Sequence, residues 1–255
     1  MLTGIQKLLT QSSTELQTGL EQLLTAHFAE LANFPCVEGS FKKVYTLPAG
    51  QLALACFREK GNQTALQNGL KLLNREKELI HHLQGLGLVT ANIHGDPFCI
   101  NDQYALLMSW IPDATFIDVK DQEAASRKLV ALLLDISIPS GEGWVLKKHT
   151  IEQDILQKFL LPTFSIETVK KKALFLHQEF ARISTILNKN SCLIADLQFL
   201  VNANGVYIID PIDVVKMSSK PTNPNMCEYH SVVDHAQQNN SNFIKLLYDG
   251  KRMLQ

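Results

Sequence analysis

The feature that most constrains this chain is the stretch CLIADLQFLVNANGVYIIDP at residues 192–211. Its apolar runs, 199–201 and 206–209, flank Asn-Ala-Asn-Gly, the pattern of a β-hairpin whose turn residues accept left-handed backbone. An aspartate stands at each end, Asp196 before the first strand and Asp210 after the second. On one rigid hairpin both side chains can project to the same side. Two carboxylates held this way offer hard oxygen ligands to a divalent cation and an acceptor for a hydroxyl proton. The plainer alternative is an ordinary hairpin with hydrated aspartates at its ends.

The chain before this hairpin alternates helical and extended patterns, which predicts an α+β protein. Leu16, Leu20, Leu23, Leu24, Phe28 and Leu31 recur at helical spacing behind a Ser/Thr cap, so a helix is expected over 12–33. Gly39 and Ser40 open a first β-segment, GSFKKVY, and Pro-Ala-Gly then turns the chain into the uninterrupted apolar run 52–57. A glycine before such a hairpin lets backbone amides approach a phosphate closely, although the full GxGxxG pattern is missing. A second amphipathic helix is predicted over 62–86 on Leu66, Leu70, Leu73, Leu79 and Leu83, and it carries Glu76 and Glu78. A buried strand at 104–108 leads into Ser109, Trp110, Ile111 and Pro112. Further helices are expected at 121–135, behind an Asp cap, at 153–160 and at 165–187, the last with Leu174, Leu176, Phe180, Ile183 and Leu187 inward. Phe180 and Trp144 read as core.

Charge and cysteine content exclude several classes. Lys+Arg 24 against Asp+Glu 25 gives a net charge of −1, so no basic field points to nucleic acid. The 5 cysteines, Cys36, Cys56, Cys99, Cys192 and Cys227, are odd in number and contain no CxxC pair, which favours free thiols in a reducing compartment. His81 and His82 are adjacent and share no helical face, and Cys227, His230, Asp234 and His235 lack paired ligand spacing. No apolar run approaches the ~20 residues of a membrane span, and no signal peptide is visible. A soluble, cytoplasmic protein is the expectation.

In their order these segments resemble the protein kinases. GSFK, a following β-run, a helix with the segment NREKELI, an apolar strand before a hinge, and Asp196-Leu197 ahead of Asp210 stand where that family places its glycine-rich loop, phosphate-binding strand, glutamate-bearing helix, hinge, catalytic loop and metal-binding aspartate. Departures are specific: Ile194 and Ala195 replace the usual His and Arg, Gln198 stands near the amide position, and Pro211-Ile212 follow Asp210. The run 52–57 contains no lysine. With-no-lysine kinases carry a cysteine in that strand and take the lysine from GSFK, and this chain looks similar through Cys56 and Lys42, with Lys43 and Arg58 as alternatives. Over residues 37–215 the likeness is nearest to the truncated kinase-fold proteins among bacterial effectors and toxins.

The resemblance implies a two-lobed protein-kinase-like fold with a small β-rich N-lobe and a reduced, mainly helical C-lobe. It divides the chain into an N-terminal helical extension at 1–33, an N-lobe at 34–111 and a C-lobe at 112–255. It implies a phosphotransferase using ATP and Mg²⁺, acting on Ser/Thr of a protein substrate, in the cytoplasm or in a host cytosol after secretion. Asp196 would accept the hydroxyl proton. Asp210 and Gln198 would hold the metal, with Asp213 a further acidic candidate. Lys42, positioned by Glu76 or less well by Glu78, would bind phosphate oxygens under Gly39 and Ser40. Adenine would lie along Met108, Ser109, Trp110 and Ile111, and ribose near Asp113 or Asp118. The same parts also accommodate a nucleotidyl or small-molecule phosphotransferase, and a pseudokinase or scaffold that binds a partner protein.

Overall fold

The structure, a computed structural model, describes residues 13–39, 41–47, 52–58, 63–119, 121–136, 157–158, 161, 163–194, 197–211, 214–216 and 234. Ser40, Trp144, Asp196, Asp213, Cys227, His230 and His235 lie outside them, as does most of the helix expected at 153–160. The chain is mixed α+β and forms two compact units. One comprises Met1–Gly85 with Thr90–Asp113, the other Leu86–Val89 with Ala114–Gln255.

The first unit is built on a five-stranded antiparallel sheet of β1 (Cys36–Glu38), β2 (Lys42–Thr46), β3 (Leu52–Phe57), β4 (Phe98–Ile100) and β5 (Gln103–Ser109), in the order β1-β2-β3-β5-β4. All of β3 is buried, which explains why LALACF is apolar without alternation: a central strand covered on both faces has no wet side. One face carries Leu52, Leu54 and Cys56 and packs on Leu24 and Leu31. Leu24 belongs to helix α1 (Ser13–Ala26) and Leu31 to a 3-10 helix, Phe28–Asn33. The single helix expected over 12–33 is thus broken at His27. The tighter second piece keeps Leu31 and the partly buried Phe28 against the sheet.

The other face of β3 carries Phe57, which packs with Leu73 of helix α2 (Gln63–Gly85) and Leu106 of β5. Here the helix meets the sheet through Ala65, Gly69, Leu73, Glu76, Leu79, Ile80 and Leu83, while Leu66 and Leu70 are only half-buried. Small residues replace the expected leucines because the Phe57 ring occupies the space. A Cβ placed on Gly69 would stand 2.9 Å from Phe57 Cδ1.

Strand β4 is an element beyond those expected above. It is joined to β5 by Asn101-Asp102 alone, at φ 45° and 58°, with Ile100 opposite Gln103. Two consecutive left-handed residues between paired strands make a tight hairpin whose twist matches the sheet, and Asn and Asp tolerate that conformation best.

In the second unit a three-stranded sheet runs β6 (Thr115–Asp118), β8 (Gln198–Asn202), β9 (Gly205–Ile209), and β7 (Cys192–Ile194) pairs with β10 (Val214–Lys216). Helices α3 (Gln122–Leu133) and α4 (Ile166–Lys189) accompany them, capped by Asp121 and Ser165, whose side chains accept from Ala124 N and Thr168 N. The β8–β9 hairpin forms as its sequence suggests. Asn202 Oδ1 accepts from Asn204 N at 2.9 Å and Gly205 N at 3.1 Å, which closes the turn. Phe199 packs edge-on against Phe180 of α4, ring centres 5.5 Å apart. Leu174, expected inward, is instead 57% exposed, since the buried stripe of α4 runs through Val169, Leu176, Phe180, Ile183 and Leu187. Among the described residues no helix is long and apolar enough to cross a membrane.

Gly69→Ala tests the close packing of α2 on β3. Alanine gains ~1 kcal/mol of helix propensity, yet overpacking a filled core costs about 1–3 kcal/mol. Urea unfolding should show the variant less stable than wild type by about 1 kcal/mol; a stabilised variant would contradict this packing.

Candidate functional site

Lys42 opens β2 directly opposite Phe57, so it lies on the α2 face of the sheet. There its Nζ donates to Oε1 of Glu76 at 2.7 Å, with the two side chains only 12% and 6% exposed. Glu76 occupies a place in the buried stripe of α2 that an apolar residue would ordinarily fill. Glu78 is exposed and lies 4.0 Å from Arg75. A pair this dry brings little net stability, because the desolvation of both charges offsets most of their attraction.

The other two cations are engaged elsewhere. Lys43 is opposite Cys56, on the face away from α2, and its Nζ meets Glu38 at 2.7 Å and the Tyr45 ring at 5.4 Å. The hydrogen bond from Lys43 holds the Glu38 carboxyl below its usual range, and Glu38 in turn raises the Lys43 ammonium. Cys56 therefore does not share a face with Lys42; the residue across from Lys42 is Phe57. Arg58 donates from Nη1 to the Gly39 carbonyl at 2.9 Å and from its backbone N–H to Phe41 O at 2.9 Å.

These bonds fasten the turn between β1 and β2 to the end of β3. The Gly39 N–H donates to Lys42 O at 2.8 Å, so in this conformation that amide is spent inside the turn. Among the described residues, a Cβ at Gly39 would meet the Lys42 carbonyl at 3.6 Å, an ordinary contact.

Met108 and Ser109 end β5, and Trp110 and Ile111 follow it. The Ser109 N–H donates to Asn92 O at 2.8 Å, which removes it from any ligand contact, and Ser109 Oγ lies 2.9 Å from His94 Nε2. His94 was not anticipated from the sequence. The strand-like pairing of its neighbour Ile93 with Met108 was hidden because Gly95 and Pro97 interrupt the apolar pattern. Burial holds the His94 imidazole below its ordinary pKa of 6.5.

In the second unit the end of the three-stranded sheet gathers polar residues. Gln198 opens β8 between Asp118 of β6 and Ile209 of β9, and Asp210 follows directly. Asp118, placed near ribose by resemblance, is thus a cross-strand neighbour of Gln198. Asp210 sits at φ 49°, a left-handed conformation outside any tight hairpin turn. Such backbone costs about 1–3 kcal/mol in general, less for Asp, and is concentrated at functional sites. Lys128 of α3 lies 5.2 Å from the Phe116 ring centre; burial lowers its pKa, while Asp118 and Asp121 act in the opposite sense.

The carboxylate of Asp210 and the amide oxygen of Gln198 are hard donors of the kind Mg²⁺ takes. Among the described residues no group of three or more His, Cys, Asp and Glu gathers to hold a metal. Of the histidines and acids near the C-terminus, Asp234 is described; it lies 3.7 Å from His177 Nδ1 at an exposed site.

Lys42→Ala removes the ammonium 2.7 Å from a buried carboxylate and should cost about 3 kcal/mol of stability at pH 7, whereas Lys42→Met with Glu76→Leu should recover most of it. Unequal loss in the two unfolding curves is the measurement. For His94 the folded pKa lies below the unfolded one, so the folded state binds fewer protons. Its contribution is present above pH ~6.5 and lost as pH falls through the folded value. His94→Gln should flatten that part of the pH–stability curve. No protein-family model and no curated protein sequence matches this chain.

Proposed function

We propose that this chain is an ATP-dependent phosphotransferase with a reduced protein-kinase-like fold, directed at serine or threonine hydroxyls of a protein. The observation that carries the reading is the buried Lys42–Glu76 pair, which joins the second strand of the sheet to α2. In this reading the sheet and α2 form the N-lobe, and the β8–β9 hairpin with α3 and α4 belongs to a mainly helical C-lobe.

Lys42 would direct its ammonium at phosphate oxygens, and Glu76 would fix its rotamer, so that little ordering remains to be done on binding. The segment 108–111 would take the base. Asp210, with Gln198, would hold Mg²⁺, which neutralises the charge of the transferred phosphoryl group when bound. Asp196 lies outside the described residues; its role as acceptor of the substrate hydroxyl proton rests on the Asp-Leu segment alone. Catalysis on this scheme comes from positioning and charge neutralisation.

The test is nucleotide binding followed by transfer. Wild type should gain thermal stability with ATP and Mg²⁺ and incorporate phosphate into itself or an acceptor protein, read by intact mass. Asp196→Asn should lower turnover ~10²-fold or more while binding persists. Asp210→Asn should weaken the Mg²⁺-dependent part of binding. Full activity in both variants would sink the assignment. Binding with no transfer to any acceptor would favour a nucleotide-binding scaffold, and addition of AMP a nucleotidyl transferase.

A further inference from the structure

The residues Asn92, Ile93 and His94 run beside the end of β5 as a short added edge. Ile93 lies opposite Met108. The His94 N–H donates to Leu107 O at 2.9 Å and the Ser109 N–H to Asn92 O at 2.8 Å. Asn92 is itself held from α2, where Gln84 Nε2 donates to its Oδ1 at 3.3 Å. These main-chain bonds need no particular side chain at position 94. The imidazole adds a separate link, Nε2 to Ser109 Oγ at 2.9 Å, in a half-buried place.

We propose that His94 is a positioning residue for nucleotide binding, its imidazole clasping Ser109 and so fixing the strand end from which Trp110 and Ile111 leave. The inference rests on the reading of residues 108–111 as the base-binding segment. A segment held in its bound conformation gives up less freedom when the ligand arrives, and affinity rises by that amount. Burial favours the neutral imidazole, and in its Nδ1–H tautomer Nε2 accepts a hydrogen bond from the Ser109 hydroxyl. Protonation would leave Nε2 a donor to the same oxygen, so the clasp is a matter of geometry rather than of charge.

The experiment is titration of the full chain with Mg²⁺–ADP by calorimetry, beside steady-state ATP kinetics. Loss of one neutral hydrogen bond should weaken ADP binding and raise the ATP KM about fivefold to tenfold, with kcat unchanged. His94→Ala and Ser109→Ala should show the same loss, and the double variant no more than either alone. His94→Gln, whose amide can reach the same hydroxyl, should recover affinity to within about twofold of wild type. If His94→Ala does not fold, Ser109→Ala decides. Wild-type affinity in Ser109→Ala, or no recovery with glutamine, would overturn the clasp while leaving the nucleotide reading in place. Absence of ADP binding to wild type would overturn the nucleotide reading itself, and the clasp with it.

Discussion

An ammonium and a carboxylate removed from water must answer each other, and the first unit is arranged so that they do. Lys42 and Glu76 come from a strand and a helix 34 residues apart, yet they meet at 2.7 Å. For this the helix must pack at a fixed height and rotation over the sheet. Gly69 against Phe57 sets the height, and the run Leu73, Glu76, Ile80, Leu83 sets the rotation. The apolar contacts supply the driving force, and the ion pair favours one register of helix on strand, because a slip would pull the ammonium and this carboxylate apart.

The second unit meets a different constraint, which is to end a strand abruptly. The β8–β9 hairpin is anchored below by Phe199 on Phe180 and closed at its turn by Asn202. Strand β9 then stops at Ile209, and the left-handed backbone of Asp210 turns the chain out of the ladder. The aspartate therefore stands where the backbone is set by its neighbours rather than by its own preference. That is a suitable place for a ligand group whose direction matters.

Much of the first unit's layout was legible in the sequence, and the physical reasons are local. LALACF reads as a strand in the first unit, and in the second NANG reads as a turn and Asp121 and Ser165 as helix starts, because each depends on its own few residues. Faces were harder. Whether Lys42, Lys43 or Arg58 reaches α2 depends on the pairing of β2 with β3, which no single strand encodes, and the same register puts Cys56 and Lys42 on opposite faces of the sheet. Leu66 and Leu70 fit the helical spacing yet fall beside the buried stripe of α2, because at Gly69 the partner surface, the Phe57 ring, leaves room for no side chain. The His94–Ser109 contact leaves no mark on the sequence, because it depends on which loop runs beside β5 and not on any pattern around either residue. Asn101-Asp102 did carry a signal: two turn-prone residues between FCI and QYALLM mark a tight hairpin.

The five-stranded sheet also has two borders. Its outer strands, β1 and β4, are three residues each, and on β1 Cys36, Val37 and Glu38 are all exposed. Unpaired amides on a long flat border invite another chain to add a strand. Here Pro35 lies just before β1 and the turn tied down by Arg58 lies just after, so the open row is too brief to template a stable addition.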